Sequence, residues 1–350
     1  MDRKSNARRL KIFASGAISS DWLARFAEDF EVDYLDWANQ ARGLSPEAFI
    51  ERLQGCHVLI TELDEIDANI LNATPDLAAI IDCRAAVVNI DVDAATQRDI
   101  AVFNTPGRNA DAVADLTVAM MVMALRKVGL AVQHIRSNDW FERGHQQSYL
   151  LHRGHELPGK IIGLVGVGII GRKVAARLRG FEVKLLGYDP FVSAGAMAGW
   201  SIEKVELDDL LRRADIVSLH APATGATTGM IGARQFGLMK PTAYLINTAR
   251  AALVDEASLM DVLTRQKIAG AALDVYHQEP IPADHPLLQL PHVTALPHIG
   301  GATLEVADHH SRLAYENLTN FLKGNYINII NPAAIEAART RLRRVINPDM

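Results

Sequence analysis

Cysteine is almost absent from this chain: Cys56 and Cys83 are the only two among 350 residues. Two cysteines cannot form a disulfide framework, and their spacing fits neither a CxxC pair nor a zinc-binding pattern. The histidines His145, His152 and His155 also lack metal-ligand spacing. We therefore expect no metal site and a reducing, cytoplasmic location.

Long apolar runs and an excess of basic charge are also missing. The longest strongly apolar stretch, Leu116–Leu125, is about half of the roughly 20 residues that a membrane-spanning helix needs, so a buried helix is the better interpretation. No apolar segment of signal-peptide length follows the charged opening, which predicts no export. The net charge of −5 gives no basic surface for nucleic acid. We therefore expect no membrane and no nucleic-acid partner, and a small molecule as ligand.

The composition, with 49% hydrophobic and 22% charged residues, is ordinary for a globular protein, and the length allows two domains. Short apolar strands alternate with helical segments, which predicts an α/β fold with parallel sheets. The first half has five predicted strands: Leu10–Ala14, Val32–Leu35, Val58–Thr61, Ala78–Asp82 and Ala101–Asn104. The second half has six: Ile161–Val165, Val183–Tyr188, Ile216–His220, Ala243–Asn247, Gly270–Asp274 and Val293–Leu296. We interpret residues 137–159 as an irregular excursion.

One stretch has the pattern of a strand, a glycine turn, a helix and a second strand. The run Ile161–Val165 leads into Gly166-Val167-Gly168-Ile169-Ile170-Gly171, which is G-x-G-x-x-G between a predicted strand and a predicted helix. Here the first glycine allows a tight turn, the second lets the main chain approach a pyrophosphate, and the third lets the helix pack on the strand. The helix N-terminus also faces the phosphates. Residues 166–171 are therefore predicted to form a dinucleotide-binding cradle.

The strand after the cradle ends on Asp189, eighteen residues after Gly171. A carboxylate at this place accepts hydrogen bonds from the adenosine ribose hydroxyls and repels a 2′-phosphate. The pattern therefore favours NAD over NADP as cofactor.

Three polar residues follow apolar strands of the second half: Arg250, Glu279 and His298. Ligands bind at the carboxyl ends of parallel strands in α/β folds. A histidine can shuttle the hydroxyl proton of a carbinol near neutral pH, a carboxylate can hold its tautomer, and an arginine can grip a substrate carboxylate at two points. Each residue alone is equally well explained as a surface or turn residue, but together they indicate a site for hydride transfer.

The chain resembles the D-2-hydroxyacid dehydrogenase family from about residue 78 to residue 328. The resemblance implies a Rossmann NAD-binding domain, residues 107–298, inserted into a flavodoxin-like substrate domain, residues 1–106 and 299–331, with a C-terminal tail, residues 332–350. It rests on motifs in the family's order: Asn104-Thr105-Pro106-Gly107, Val113-Ala114-Asp115, the cradle with Tyr188-Asp189-Pro190, His220-Ala221-Pro222-Ala223-Thr224, Met239-Lys240-Pro241, Asn247-Thr248-Ala249-Arg250, Asp274-Val275-Tyr276 through Glu279-Pro280, and Pro297-His298-Ile299-Gly300-Gly301-Ala302-Thr303.

The resemblance also implies roles for single residues. His298 is the proton donor in reduction, Glu279 its carboxylate partner and Arg250 the cation that orients the substrate. A homodimer joined through the cofactor domains is implied, with Trp140 and Phe141 in its arm. The implied substrate-binding residues are Arg84, Ala85, Ala86 and Asn109. The implied cofactor-binding residues are Gly166, Gly168, Ile169, Ile170, Gly171, Asp189, His220, Pro222 in the cofactor-side loop, Thr248, Ala249, Asp274 near the nicotinamide amide, and Val113 behind the ring.

The chain departs from the family's pattern at two loops. Arg84-Ala85-Ala86 stands where many relatives have a glycine-rich loop, and Arg250-Ala251-Ala252 stands where Arg-Gly-Gly is usual. Because of these departures, the identity of the substrate does not follow from the resemblance.

The predicted function is NAD-dependent interconversion of a small D-2-hydroxy acid and its 2-keto acid. The substrates left open are 3-phosphoglycerate, whose phosphate Arg84 and Arg108 would contact, and hydroxypyruvate or glyoxylate. The loop Cys83–Asp91 could equally be a simple connection with a solvated arginine. An alternative from another class is a corepressor-like protein that senses NAD(H), and a lesser one is oxidation of phosphite or formate.

Overall fold

The computed structural model describes residues 8–36 and 44–347. Residues 1–7, 37–43 and 348–350, which the predicted domain ranges include, lie outside the described residues. The chain divides into two compact units. Unit 1 contains the described residues through Arg108 and those from Thr303 onward, and unit 2 contains Asn109–Ala302.

Unit 1 contains a five-stranded parallel sheet with the strand order β2-β1-β3-β4-β5, which is the flavodoxin-like order. Strands β3 and β4 are buried at every position because helices cover both faces of the sheet, and they therefore read as apolar runs. The elements before unit 2 are β1 Lys11–Ala14, α1 Ser20–Asp29, β2 Glu31–Tyr34, α2 Pro46–Leu53, β3 Val58–Thr61, α3 Ala68–Ala73, β4 Ala79–Asp82, α4 Val92–Gln97 and β5 Ala101–Phe103.

Unit 2 contains a seven-stranded parallel sheet with the order β12-β11-β10-β9-β6-β7-β8. The chain reverses direction across the sheet between β6 and β9, which is the switch point of a Rossmann fold. Its elements are α5 Ala110–Leu125, α6 Val128–Arg136, α7 Asp139–Leu151, β6 Ile161–Val165, α8 Ile169–Leu178, β7 Lys184–Tyr188, α9 Ala194–Gly199, β8 Ile202–Lys204, α10 Leu207–Arg213, β9 Ile216–Leu219, α11 Ala233–Phe236, β10 Tyr244–Asn247, α12 Glu256–Thr264, β11 Gly270–Leu273 and β12 Val293–Ala295.

Two sequence predictions for unit 2 were wrong. The predicted sheet lacked the edge strand β8, which has three residues and a charged sequence rather than an apolar run. Residues 137–159 were predicted to be irregular, but most of them form α7, which has non-helical geometry at Gly144 with φ +76°. The glycine and the many polar side chains of α7 obscure its helical periodicity.

The chain returns to unit 1 through α13, Leu304–Lys323, and α14, Ile335–Ile346. Leu318 and Phe321 of α13 and Leu342 of α14 lie in the same apolar cluster as strand residues of β1 and β3. Arg341 of α14 also donates hydrogen bonds to the carbonyl groups of Leu77 and Arg98. The prediction of a separate C-terminal tail was therefore wrong, since α14 is part of the core of unit 1.

The predicted fold class is confirmed: two doubly wound parallel-sheet units, with a Rossmann unit inserted into a flavodoxin-like one. No helix among the described residues is long and apolar enough to cross a membrane.

Candidate active site

The turn between β6 and α8 has the geometry of a phosphate cradle. Gly166 has φ +92°, and a Cβ there would lie 2.5 Å from the main-chain nitrogen of Ala221. A Cβ at Gly171 would lie 2.4 Å from the carbonyl oxygen of Gly166. A Cβ at Gly168 would meet no atom within 4 Å, so there is open space next to the first turn of α8. Glycine is thus required at two positions by close packing, and the third leaves room for a pyrophosphate.

Asp189, which follows β7, is tied to this cradle. Its Oδ2 accepts a hydrogen bond from Val167 N at 2.9 Å, and its Oδ1 accepts one from Phe191 N at 2.9 Å. Each carboxylate oxygen keeps a second lone pair for a ribose hydroxyl. Ile169, at the start of α8, is partly exposed, whereas Ile170 packs against the core of unit 2.

His298 and Glu279 form a hydrogen-bonded pair in unit 2. The distance from His298 Nδ1 to Glu279 Oε2 is 2.6 Å, and Glu279 Oε1 accepts a hydrogen bond from Tyr276 N at 2.9 Å. Burial alone would raise the pKa of Glu279, but these hydrogen bonds and the charge of Arg250 outweigh burial and hold it below its ordinary value. The ionised Glu279 is an acceptor only, so Nδ1 of His298 carries the proton and Nε2 is left for a substrate.

The loop that carries His298 is fixed by two buried side chains. His298 itself has φ +54°. The wholly buried Asp274 accepts hydrogen bonds from Ile299 N at 2.8 Å and from Gly300 N at 2.7 Å. The hydroxyl of Tyr276 donates to the carbonyl of Leu296 at 2.8 Å, and burial together with the charge of Asp274 raises the pKa of Tyr276 to about 12. Sequence reasoning gave Tyr276 no role, although it lies in a motif that the sequence analysis singled out.

Arg250 follows β10 on a turn that the Asn247 side chain closes. Asn247 Nδ2 donates to the carbonyl of Arg250 at 2.9 Å, and Asn247 Oδ1 accepts from Ala249 N at 3.1 Å. The exposed guanidinium lies near enough to Glu279 to lower the pKa of that carboxyl. The hydroxyl of Thr248 is 2.8 Å from that of Thr117 on α5.

The other predicted residues of unit 2 lie around the same sheet edge. Burial lowers the pKa of His220 to about 4, so its imidazole is neutral near pH 7; its Nε2 is 2.9 Å from Ser218 Oγ. The carbonyl of Pro222 accepts a hydrogen bond from Thr227 Oγ1 at 2.6 Å. Asn109 and Val113 both lie beside the His298 loop: an added Cβ would lie 3.0 Å from Asn109 Nδ2 at Gly301, and 3.5 Å from Val113 Cγ2 at Gly300.

The predicted substrate residues Arg84, Ala85 and Ala86 lie in unit 1, in the loop after β4. Thr105 N donates to the carbonyl of Arg84 at 2.9 Å, and Asn104 Nδ2 donates to that of Ala85 at 2.7 Å. The Arg84 guanidinium makes no hydrogen bond or ion pair with any described residue.

A set of polar residues that the site prediction largely missed surrounds this loop in unit 1. Arg108 Nη1 is 2.6 Å from Glu62 Oε1 and 2.9 Å from His310 Nδ1 on α13. Asp82, the last residue of β4, is wholly buried without a hydrogen-bond partner, and burial raises its pKa to about 7. The signal was present, since Glu62 and Asp82 are polar residues at the carboxyl ends of apolar strands. We call Glu62, Asp82, Arg84, Asn89 and Arg108 the unit 1 polar cluster.

Among the described residues, no three histidine, cysteine or acidic side chains are placed to hold a metal ion. A Rossmann unit with a glycine cradle and a histidine–carboxylate pair is typical of nicotinamide-dependent oxidoreductases.

The comparisons with known proteins agree with this class. The family model described as "D-isomer specific 2-hydroxyacid dehydrogenase, NAD binding domain" matches residues 118–300. The chain belongs to the D-isomer specific 2-hydroxyacid dehydrogenase family, and it is an oxidoreductase that uses NAD and acts on CH–OH groups.

Three relatives illustrate the match. A glyoxylate reductase from Korarchaeum cryptofilum is 37% identical over 93% of this chain and 97% of its own length. A D-3-phosphoglycerate dehydrogenase from Archaeoglobus fulgidus is 36% identical over 84% of this chain but only 55% of its own length. A solved structure of a protein from Thermus thermophilus aligns with a TM-score of 0.78 and 33% identity, over 92% of this chain and 100% of that one.

Proposed function

We propose that the protein interconverts a small D-2-hydroxy acid and its 2-keto acid, with His298 as general acid and base. The observation that carries this proposal is the 2.6 Å hydrogen bond between His298 Nδ1 and Glu279 Oε2. Bound NADH supplies the hydride for the carbonyl carbon of the substrate. In that direction His298 Nε2 donates a proton to the carbonyl oxygen, and Glu279 stabilises the charged imidazole and holds its orientation.

Arg250 binds the substrate carboxylate in this proposal. Its guanidinium can form two parallel hydrogen bonds to a carboxylate, which orients the neighbouring carbonyl toward His298. The position of Arg250 is set by the Asn247 side chain, which closes the turn after β10. The loop Arg84-Ala85-Ala86 and Asn109 supply further contacts to the substrate. NAD occupies the cradle with its adenosine ribose at Asp189.

The test measures oxidation of NADH with glyoxylate, hydroxypyruvate, pyruvate, 3-phosphohydroxypyruvate and longer 2-keto acids. The wild type is expected to reduce at least one of them. His298→Ala should lose at least about 10²-fold in kcat, because a positioned acid–base group contributes about that much or more. Its affinity for NADH, measured by fluorescence titration, should not change.

His285→Ala is the matched control, since His285 lies in unit 2 and its Nδ1 instead accepts a hydrogen bond from Leu287 N. Full activity of His298→Ala would refute the assigned role. A wild type that binds NADH but reduces no member of the panel would favour the NAD(H)-sensing alternative.

We also propose that the protein is a homodimer in which α6 and α7 form the contact. These helices carry large apolar side chains that are exposed in the single chain, with Phe141 68% and Tyr149 63% exposed. Such a patch on a surface is typical of a protein interface. Light scattering should give twice the chain mass for the wild type and a lower mass for Phe141→Asp. Leu304→Asp, at an apolar residue of α13 that is also exposed, should leave the mass unchanged.

A further inference from the structure

The unit 1 polar cluster contains buried acceptors that have no donor. Glu62 Oε2, both carboxylate oxygens of Asp82 and Asn89 Oδ1 are all buried without a hydrogen-bond partner. Nearly all buried polar atoms in folded proteins have such a partner, so unpartnered acceptors that follow two neighbouring strands call for an explanation. Strands β3 and β4 pair in parallel, and Glu62 and Asp82 stand at their carboxyl ends, where α/β folds bind ligands.

The same cluster also contains donors that have no acceptor. The Arg84 guanidinium has no hydrogen-bond or ion-pair partner among the described residues. Arg108 uses only Nη1, which contacts Glu62 and His310. Arginine carries five N–H donors, so both side chains keep several for a ligand. Unpaired acceptors and unpaired donors are thus present together in the loops after β3, β4 and β5.

This combination discriminates between ligand chemistries. A phosphate would be attracted by the two arginines but repelled by Glu62 and by ionised Asp82, and an ammonium group would meet the opposite balance. An alkyl chain would leave every one of these groups unpaired. A hydroxyl group satisfies both kinds, because it donates one hydrogen bond to a carboxylate or carboxamide oxygen and accepts others from a guanidinium.

We propose that the unit 1 polar cluster binds hydroxyl groups on the substrate's carbon chain, so that the preferred substrates are polyhydroxylated 2-keto acids of the sugar-acid class. The proposal rests on the proposed function, since it assigns the substrate's tail to the cluster. Glu62 and Asn89 accept from the hydroxyl groups, and Arg84 donates to them. Replacement of the family's glycine-rich loop by Arg84-Ala85-Ala86 is the sequence change that introduces this guanidinium.

The experiment compares kcat/KM within matched substrate pairs. Hydroxypyruvate and pyruvate differ by one hydroxyl group, and 2-keto-D-gluconate and 2-oxohexanoate have chains of equal length with and without hydroxyl groups. The hydroxylated member is expected to have a kcat/KM at least about 10²-fold higher in the longer pair, since a site built to hydrogen-bond a hydroxyl rejects the analogue that lacks it. For 3-phosphohydroxypyruvate, kcat/KM should be lower than for hydroxypyruvate.

Two variants locate the preference in the cluster. Arg84→Met removes the unpaired donors, and Glu62→Gln turns one acceptor group into an amide. Each should reduce the ratio of kcat/KM for 2-keto-D-gluconate to that for 2-oxohexanoate by at least about tenfold. The kcat/KM for pyruvate should change less than about threefold, because pyruvate has no hydroxyl group to lose contact with. Glu65→Gln, at an exposed carboxylate of the loop after β3, is the matched control and should leave the ratio unchanged.

The outcomes separate the two proposals. Equal kcat/KM values within both pairs, or a preference for 3-phosphohydroxypyruvate that Arg84→Met removes, would overturn the sugar-acid assignment while leaving the dehydrogenase function intact. Absence of NADH oxidation with every 2-keto acid would overturn both. Because Glu62 also pairs with Arg108, Glu62→Gln could affect folding, and Arg84, whose guanidinium has no hydrogen bond to lose, gives the decisive variant.

Discussion

Gly300 donates its main-chain N–H to the buried carboxylate of Asp274, with 2.7 Å between Gly300 N and Asp274 Oδ2. The other carboxylate oxygen accepts from Ile299 N. These two hydrogen bonds fix the residues directly after His298. Asp274 is therefore a positioning residue for the proposed acid–base group, in addition to the cofactor role that the resemblance implies.

We expect Asp274→Asn to lower both stability and turnover. The substitution places an amide N–H₂ against a main-chain N–H, which leaves a buried donor unpaired and costs about 1–3 kcal/mol. Urea unfolding should show this loss, and kcat should fall at least about tenfold because the His298 loop shifts. Asp261→Asn, which affects only surface ion pairs with Arg265 and Lys267, should change stability by less than about 1 kcal/mol. Unchanged stability and kcat in Asp274→Asn would disprove the positioning role.

Gly171→Ala should weaken the binding of NADH. The added Cβ would lie 2.4 Å from the carbonyl oxygen of Gly166, so either α8 or the cradle must move. A loss of affinity of at least about tenfold is expected, together with a destabilisation of about 1–3 kcal/mol. Fluorescence titration with NADH measures the affinity. In Gly180→Ala the Cβ meets no atom within 4 Å, so wild-type affinity is expected there; equal affinities for the two variants would contradict the prediction.

Asp189→Asn should increase the use of NADPH relative to NADH. The amide keeps the shape of the side chain and one acceptor oxygen, but it removes the negative charge that would repel a 2′-phosphate. We expect the ratio of kcat/KM for NADPH to kcat/KM for NADH to rise at least about tenfold. Glu182→Gln removes an exposed charge just before β7 and serves as the control. If the ratio did not change, Asp189 would not be the residue that selects the cofactor.

Asp82→Asn should stabilise the protein, and more so at alkaline pH. The folded-state pKa of Asp82, about 7, lies above its ordinary value of 3.8, so the folded protein is penalised as the unfolded state loses the proton first. The penalty is absent below about pH 4, grows as the pH rises and is complete above about pH 7. The neighbouring charges of Glu62, Arg84 and Arg108 are included in this shift.

Denaturant unfolding at pH 5 and pH 8 checks this prediction. The gain in the free energy of unfolding of Asp82→Asn over the wild type should be about 2 kcal/mol larger at pH 8 than at pH 5. The same gain at both pH values would mean that Asp82 keeps its ordinary pKa. Asp76→Asn, at a residue exposed before β4, is the control and should show no such difference.

The cradle could be predicted from the sequence because its geometry is local. Gly166, Gly168 and Gly171 stand within one strand–turn–helix segment, and the requirement for glycine follows from backbone contacts inside or beside that segment. The same holds for the parallel sheets, whose buried strands are short apolar runs with helical segments between them.

The features that were missed depend on contacts between distant parts of the chain. α14 looks like a charged tail until its apolar stripe, Ile335, Ala338 and Leu342, is seen against the sheet of unit 1. The pairing of Arg108 with His310 joins residues about two hundred positions apart. The raised pKa of Asp82 depends on burial by neighbours that no local pattern identifies. Sequence reasoning found the polar residues at the strand ends of unit 2, but applied the same rule to unit 1 only at Arg84.

The return of α13 and α14 to unit 1 has a consequence for synthesis on the ribosome. The sheet of unit 1 emerges first, but Leu318, Phe321 and Leu342, which cover one of its faces, are made only after all of unit 2. At about 5–20 residues per second, the nascent sheet waits about ten seconds or longer with that apolar face uncovered, whereas unit 2 is contiguous and can complete its core as it emerges. The first hundred residues of the nascent chain are therefore the part most dependent on chaperones.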